Sequence, residues 1–151
     1  TLRLEAPIAA DLLVQRIARA HDFKRSGRLI RERVLALVDD HFHLGEDLIA
    51  GDFVWLSEEA PDFTIPIRTP KSGETTRNIE EIPCEEILAA AIHAGAECSA
   101  VQIARIFGIR RLASPGKERI DRAIDLLQER RTAPISADVT GQIDVRPPPK
   151  N

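Results

Sequence analysis

The feature that most limits how this chain can fold is a repetition. The ten residues "RIARAHDFKR" (16–25) reappear as "QIARIFGIRR" (102–111) at a constant offset, with Ile17 on Ile103, Ala18 on Ala104, Arg19 on Arg105 and Phe23 on Ile109. Allowing four extra residues in the second loop, Ile30, Val34 and Leu37 fall on Ile120, Ile124 and Leu127. A chain that writes one helix–turn–helix pattern twice is expected to fold as two related units, each closing its own small core.

Periodicity supplies the elements. Leu12, Leu13, Ile17 and Ala20 recur at helical spacing and predict a helix over about 9–21. Ser26 is expected to cap a second helix with an inward stripe of Ile30, Val34, Leu37 and Val38, ending near Asp40. The period then changes. "DLIAGDFVWLS" and "FTIPIRT" are rich in β-branched and aromatic residues and predict two antiparallel strands joined by the polar "EEAPD". "PKSGETTRN" has no apolar periodicity and reads as a linker. A helix over 83–94 follows through Ile87, Leu88, Ala91 and Ile92, stopped by Gly95, and "AVQIARIFG" gives a shorter one stopped by Gly108. A third starts with Ser114 as cap and Pro115 at the first helical position, with Ile120, Ile124 and Leu127 inward. "APISADVTGQIDV" reads as a small hairpin and "RPPPKN" as an extended tail.

Each copy therefore runs helix, turn, helix, β-hairpin, the order of a winged helix-turn-helix. The expected fold class is α+β, mainly helical, with two tandem winged-helix-like units. The first spans 1–69, a linker 70–79, the second 80–146, and a tail 147–151. The second copy has a leading helix at 83–94, which the first lacks. An all-α fold is the runner-up, because it leaves "DFVWLS" and "FTIPIRT" unexplained.

Composition narrows the function classes. The chain has 151 residues, 43% hydrophobic and 30% charged, which suits one ordinary domain or two small ones rather than a disordered segment. No apolar run approaches the roughly 20 residues that cross a bilayer. The opening residues lack the pattern of a signal peptide, and a start at Thr1 without Met leads us to expect a piece of a longer chain. Cys84 and Cys98 are expected to be reduced thiols in a cytoplasmic protein. His41 and His43 have no accompanying ligands, so no metal or other cofactor is expected. Catalysis is not expected either. Asp62, Glu74 and Lys71 lack the metal-nuclease spacing, since Thr69 stands two positions before the lysine. "ASPGKER" lacks the preceding glycine and the following Ser or Thr of a phosphate-binding loop. No small-molecule substrate is evident.

The stretches "EAPIAADLLVQRIARAHDFKRSGRLIRERV", "IPCEEILAAAIHAG", "QIARIFGIRR" and "GKERIDRAIDLL" resemble an uncharacterised domain at the C-terminal end of large bacterial helicase-related proteins. The resemblance covers roughly 4–40 and 80–130. This chain differs at Ala6, where the family has Gly, and at Ala113 and Ser114, where a compact basic-Gly turn is usual. The resemblance implies a parent chain with a superfamily I helicase core and a restriction-endonuclease-like domain, of which this segment is the C-terminal module.

Although the net charge is −3, cations are concentrated. Residues 16–33 hold seven cations against two anions (7 − 2 = +5), and 105–122 hold six against two (6 − 2 = +4). Such segments suit a phosphate backbone, and the turn basics precede helix N-termini. The expected nucleic-acid contacts are Lys24, Arg25, Arg28, Arg31, Arg110, Arg111, Lys117 and Arg122, with DNA as partner and the backbone as target. Base reading is not expected, because Glu32, Glu118 and Asp125 face outward and the 39–62 segment holds eight acidic residues and no Lys or Arg. Docking within the parent protein is the alternative, with pairs such as Arg28–Glu32 and Glu118–Arg122 serving only as solvated helix faces. Trp55 is expected in the core.

Overall fold

The computed structural model describes residues 2–49, 51–56, 65–73, 76–95 and 97–133. The fold is mainly helical with a small antiparallel sheet, an α+β architecture. In chain order the elements are α1 (Leu2–Glu5), β1 (Ile8–Ala9), α2 (Ala10–Ala20), α3 (Arg28–Asp39), β2 (His43–Glu46), β3 (Asp52–Trp55), a 3-10 turn (Ile79–Glu81), α4 (Cys84–Ala94), α5 (Ala100–Ile106) and α6 (Ser114–Thr132). The expected hairpin near Ile135–Ile143 and the tail lie outside the described residues.

The sheet corrects the expected strand pairing. β3 does not pair with the described part of "FTIPIRT", residues 65–69. It pairs with β2, His43 opposite Trp55 and Glu46 opposite Asp52, and on its other edge with β1, Ile8 opposite Val54. Both edges of β3 are thus occupied, and residues 65–70 run without regular structure. The β2–β3 loop closes through Asp47, whose backbone N–H donates to the Gly51 carbonyl at 3.1 Å and whose carboxylate accepts the Ile49 N–H at 2.9 Å. Gly51 has φ +110°, a conformation that side chains disfavour.

Two cores form. One joins Ile8, Leu13, Val14, Val34, Val38 and Val54, so that α2 and α3 lie on the small sheet. The other joins Ile82, Ile87, Leu88, Ile103, Phe107 and Ile120, where α4, α5 and α6 meet. Trp55 is buried with Phe53 and Ile65. The inward stripe of α3 is corrected in part. Ile30, Val34 and Val38 turn in and Leu35 packs beside them, whereas Leu37 is 66% exposed. Helix starts also shift: Gly27 rather than Ser26 precedes α3, and Ala113 rather than Ser114 precedes α6, neither with a side-chain cap.

Buried ion pairs tie the two cores together. Glu86, fully buried on α4, accepts from Arg68 Nη2 and from Arg77 Nη2, each at 2.6 Å. Arg68 also donates to the Glu5 and Pro7 carbonyls at 2.6 and 2.9 Å, next to β1. Asp47 pairs with Arg119 of α6 and accepts the Cys84 N–H at 2.9 Å. Arg119 donates to the Ile82 carbonyl at 3.0 Å as well.

Candidate nucleic-acid interface

The repeated sequence makes the same turn twice. After α2, the Phe23 N–H donates to the Ala18 carbonyl at 3.0 Å and the Asp22 N–H to Arg19 at 3.1 Å. After α5, the Ile109 N–H donates to Ala104 at 2.9 Å and the Gly108 N–H to Arg105 at 3.0 Å. This is the Schellman arrangement, in which a left-handed residue just past the helix lets two amides cap its last carbonyls. Asp22 at φ +60° and Gly108 at φ +74° are those residues. The following helices, α3 and α6, begin at Arg28 and Ser114, the same offset of 86 as the turn (114 − 28 = 86). The four-residue insertion expected in the second loop is therefore absent. Val34 falls on Ile120 and Val38 on Ile124.

Each turn delivers a basic pair to an open cleft. Lys24 and Arg25 line a cleft of about 280 Å³ with Arg19. Arg110 and Arg111 line a separate one of about 720 Å³, together with Lys71 and the first turn of α6. Close backbone packing shapes the second cleft. A Cβ on Gly108 would lie 2.5 Å from Pro70 Cγ, and one on Gly116 would lie 2.5 Å from Ile79 Cγ2.

The eight residues singled out by sequence divide into two sets. Arg28 pairs with Glu32 at 3.5 Å, and Arg31 with Asp11 at 3.1 Å and Asp52 at 3.6 Å. Lys117 pairs with Asp121, which raises its pKa through that hydrogen bond. Arg122 pairs with Glu129 at 3.3 Å rather than with the expected Glu118. Lys24, Arg25, Arg110 and Arg111 are exposed and have no acidic partner among the described residues. Arg119, counted with the cations of 105–122, is turned inward to Asp47 and adds nothing to the surface. Sequence reasoning weighed Lys71 only against a metal-nuclease spacing and left it off the contact set, since it lies in the stretch read as linker and carried no periodic signal. It also left Arg19 off the contact set, although its match to Arg105 marked it.

The acidic segment after α3 is less repulsive than its sequence suggests, since Asp47 and Asp52 are engaged by Arg119 and Arg31. Among the described residues no group of three or more His, Cys, Asp or Glu is arranged to hold a metal ion. Burial pushes the Cys84 thiol up to about 12, which leaves it protonated and inert. No helix among the described residues is long and apolar enough to cross a membrane.

The profile of DUF3320, a family of proteins of unknown function, matches residues 2–32. That span holds α1, β1, α2, the first basic turn and the start of α3. Neither the curated proteins nor the solved structures contain a match to the chain.

Proposed function

We propose that this chain is a non-catalytic module of a helicase-related protein, built of winged-helix-like units, that grips nucleic acid through the phosphate backbone at its two helix–helix turns. The single observation that carries this reading is the division among the cations. Of the eight cations singled out by sequence, the four on helix faces (Arg28, Arg31, Lys117 and Arg122) are already ion-paired, while Lys24, Arg25, Arg110 and Arg111 stand unpaired among the described residues, at matched positions of two matched turns. The order β1-α2-α3-β2-β3 supports a winged helix for the first unit. Unpaired cations in open clefts exchange counterions for phosphates, and that exchange is indifferent to base sequence.

The test is fluorescence anisotropy with labelled duplex, single-stranded and forked DNA across a salt series. Four phosphate contacts predict that log affinity falls with log salt at a slope of roughly −3 to −4. Arg25→Glu with Arg111→Glu is expected to lower affinity alike for all sequences. Absence of binding at low salt overturns the proposal.

Docking within the parent protein is the second reading, and one observation favours it. Leu29 and Leu37 are 71% and 66% exposed on α3, the helix that would approach a groove, with Arg33 between them. Under this reading Leu37→Ser removes partner binding, while loss of the turn basics leaves it intact.

A further inference from the structure

Among the described residues, aromatic side chains serve the cores with one exception. Phe42, Phe53, Trp55 and Phe107 lie in or against the hydrophobic clusters, whereas Phe23 is 53% exposed. Phe23 follows Asp22 in the first Schellman turn, where an apolar residue leans on the end of the helix just capped. That role does not ask for a ring, since Ile109 stands at the matched place in the second turn. The ring also has charged company. It lines the small cleft of about 280 Å³ with Ala18, Arg19, Lys24 and Arg25, and no Asp or Glu is among the described lining residues. Guanidinium groups lie over Phe53 and Phe107, but none lies over Phe23 among the described residues. The backbone nearby is open as well: a Cβ on Gly27 would meet nothing within 4 Å.

We infer that Phe23 stacks on an unpaired base, so that the first turn takes single-stranded DNA, its ring on the base and its cations on the flanking phosphates. The inference rests on the phosphate reading of the turns and adds a strand type to it. A phosphate held by Lys24 or Arg25 brings its own nucleotide's base toward the ring. Every base has a π-face, so the contact is indifferent to sequence. In a duplex both faces of a base are taken by its neighbours in the stack, and the ring finds nothing to cover. The second cleft has no aromatic lining residue among those described and keeps Lys71 beside Arg110 and Arg111. It is left to hold phosphates of either strand type.

Three labelled probes of equal length separate base from phosphate: an oligothymidylate, its abasic counterpart and a blunt duplex. Each is titrated with the full chain by fluorescence anisotropy over a salt series. The wild-type protein is expected to bind the thymidylate strand about tenfold more tightly than the abasic one. Phe23→Leu keeps an apolar group on the helix end. It should remove that advantage while leaving abasic and duplex affinities, and the salt slope, as they were. Phe23→Trp should preserve the advantage, and its added fluorescence should be quenched by the thymidylate strand, with the buried Trp55 of the wild type as background. Circular dichroism checks that both variants stay folded. Equal wild-type affinity for thymidylate and abasic strands overturns the inference without recourse to any variant. So does a Phe23→Leu loss shared by the duplex, which would mark the ring as structural, or a lack of quenching in Phe23→Trp. In those cases salt-dependent binding that Arg25→Glu with Arg111→Glu lowers still upholds the phosphate grip. No binding of any probe at low salt overturns both.

Discussion

At the scale of single residues, the two turns use different answers to one conformational demand. Gly108 takes φ +74° without a Cβ, and a Cβ there would strike Pro70. Gly108→Ala therefore combines backbone strain with a steric clash and is expected to cost about 2 kcal/mol or more, read by urea denaturation. Asp22 holds φ +60° with a side chain present. Asp22→Gly relieves that strain but frees the unfolded chain, so a change within about 1 kcal/mol of zero is expected. Gly108 was legible in sequence as a helix stop; Asp22 was not, because "HDFK" signals a break without naming its hinge. The basic pairs were legible too, but which cations remain available was not. Pairing of Arg31 with Asp11 and Asp52 requires three elements that only the fold brings together.

At the scale of elements, the first turn of α4 places two adjacent glutamates in opposite situations. Burial alone would raise the pKa of Glu86, but hydrogen bonds from Arg77 and Arg68 outweigh it and hold the carboxyl below its ordinary value. Its contribution to stability is present above the unfolded value of about 4.5 and is lost as pH falls through the lower folded value. Glu85 is raised by burial, and its Oε2 finds no hydrogen-bond partner among the described residues. Its contribution is present below about 4.5 and is lost as pH rises through the higher folded value. Thermal melts across pH should therefore separate two variants. Glu86→Gln is expected to cost about 3–5 kcal/mol near neutrality, since two guanidinium groups lose their charged partner. Glu85→Gln should stabilise near neutrality by on the order of 1 kcal/mol, and the gain should vanish in acid. Helices α2 to α6 were readable from their apolar spacing. The strands were not fully so, because "DFVW" announces a strand but not its partners, and the chosen partner "HLGE" has little β character of its own.

At the scale of the whole molecule, the halves are joined by ion pairs buried between them. Asp47 in the β2–β3 loop meets Arg119 of α6, and Arg68 spans from the carbonyls beside β1 to Glu86 of α4. Unfolding either half would strand a buried charge in the other, so a single cooperative transition is expected by calorimetry. Asp47→Asn should lower the midpoint and broaden the transition, as the halves begin to melt independently. Sequence could not foresee this joint, since nothing in "GEDLIAG" or "GKERID" marks Asp47 and Arg119 as partners.

The Schellman turns have one more consequence. The hydrogen bonds that cap them run between amide and carbonyl groups, and no ion pair with a described residue holds the side chains at 24, 25, 110 and 111. Mutational drift at these four exposed sites is expected to meet little resistance from stability. Among descendants of this chain, only selection for what the turns touch would keep Lys or Arg there, which makes the four positions a direct record of use.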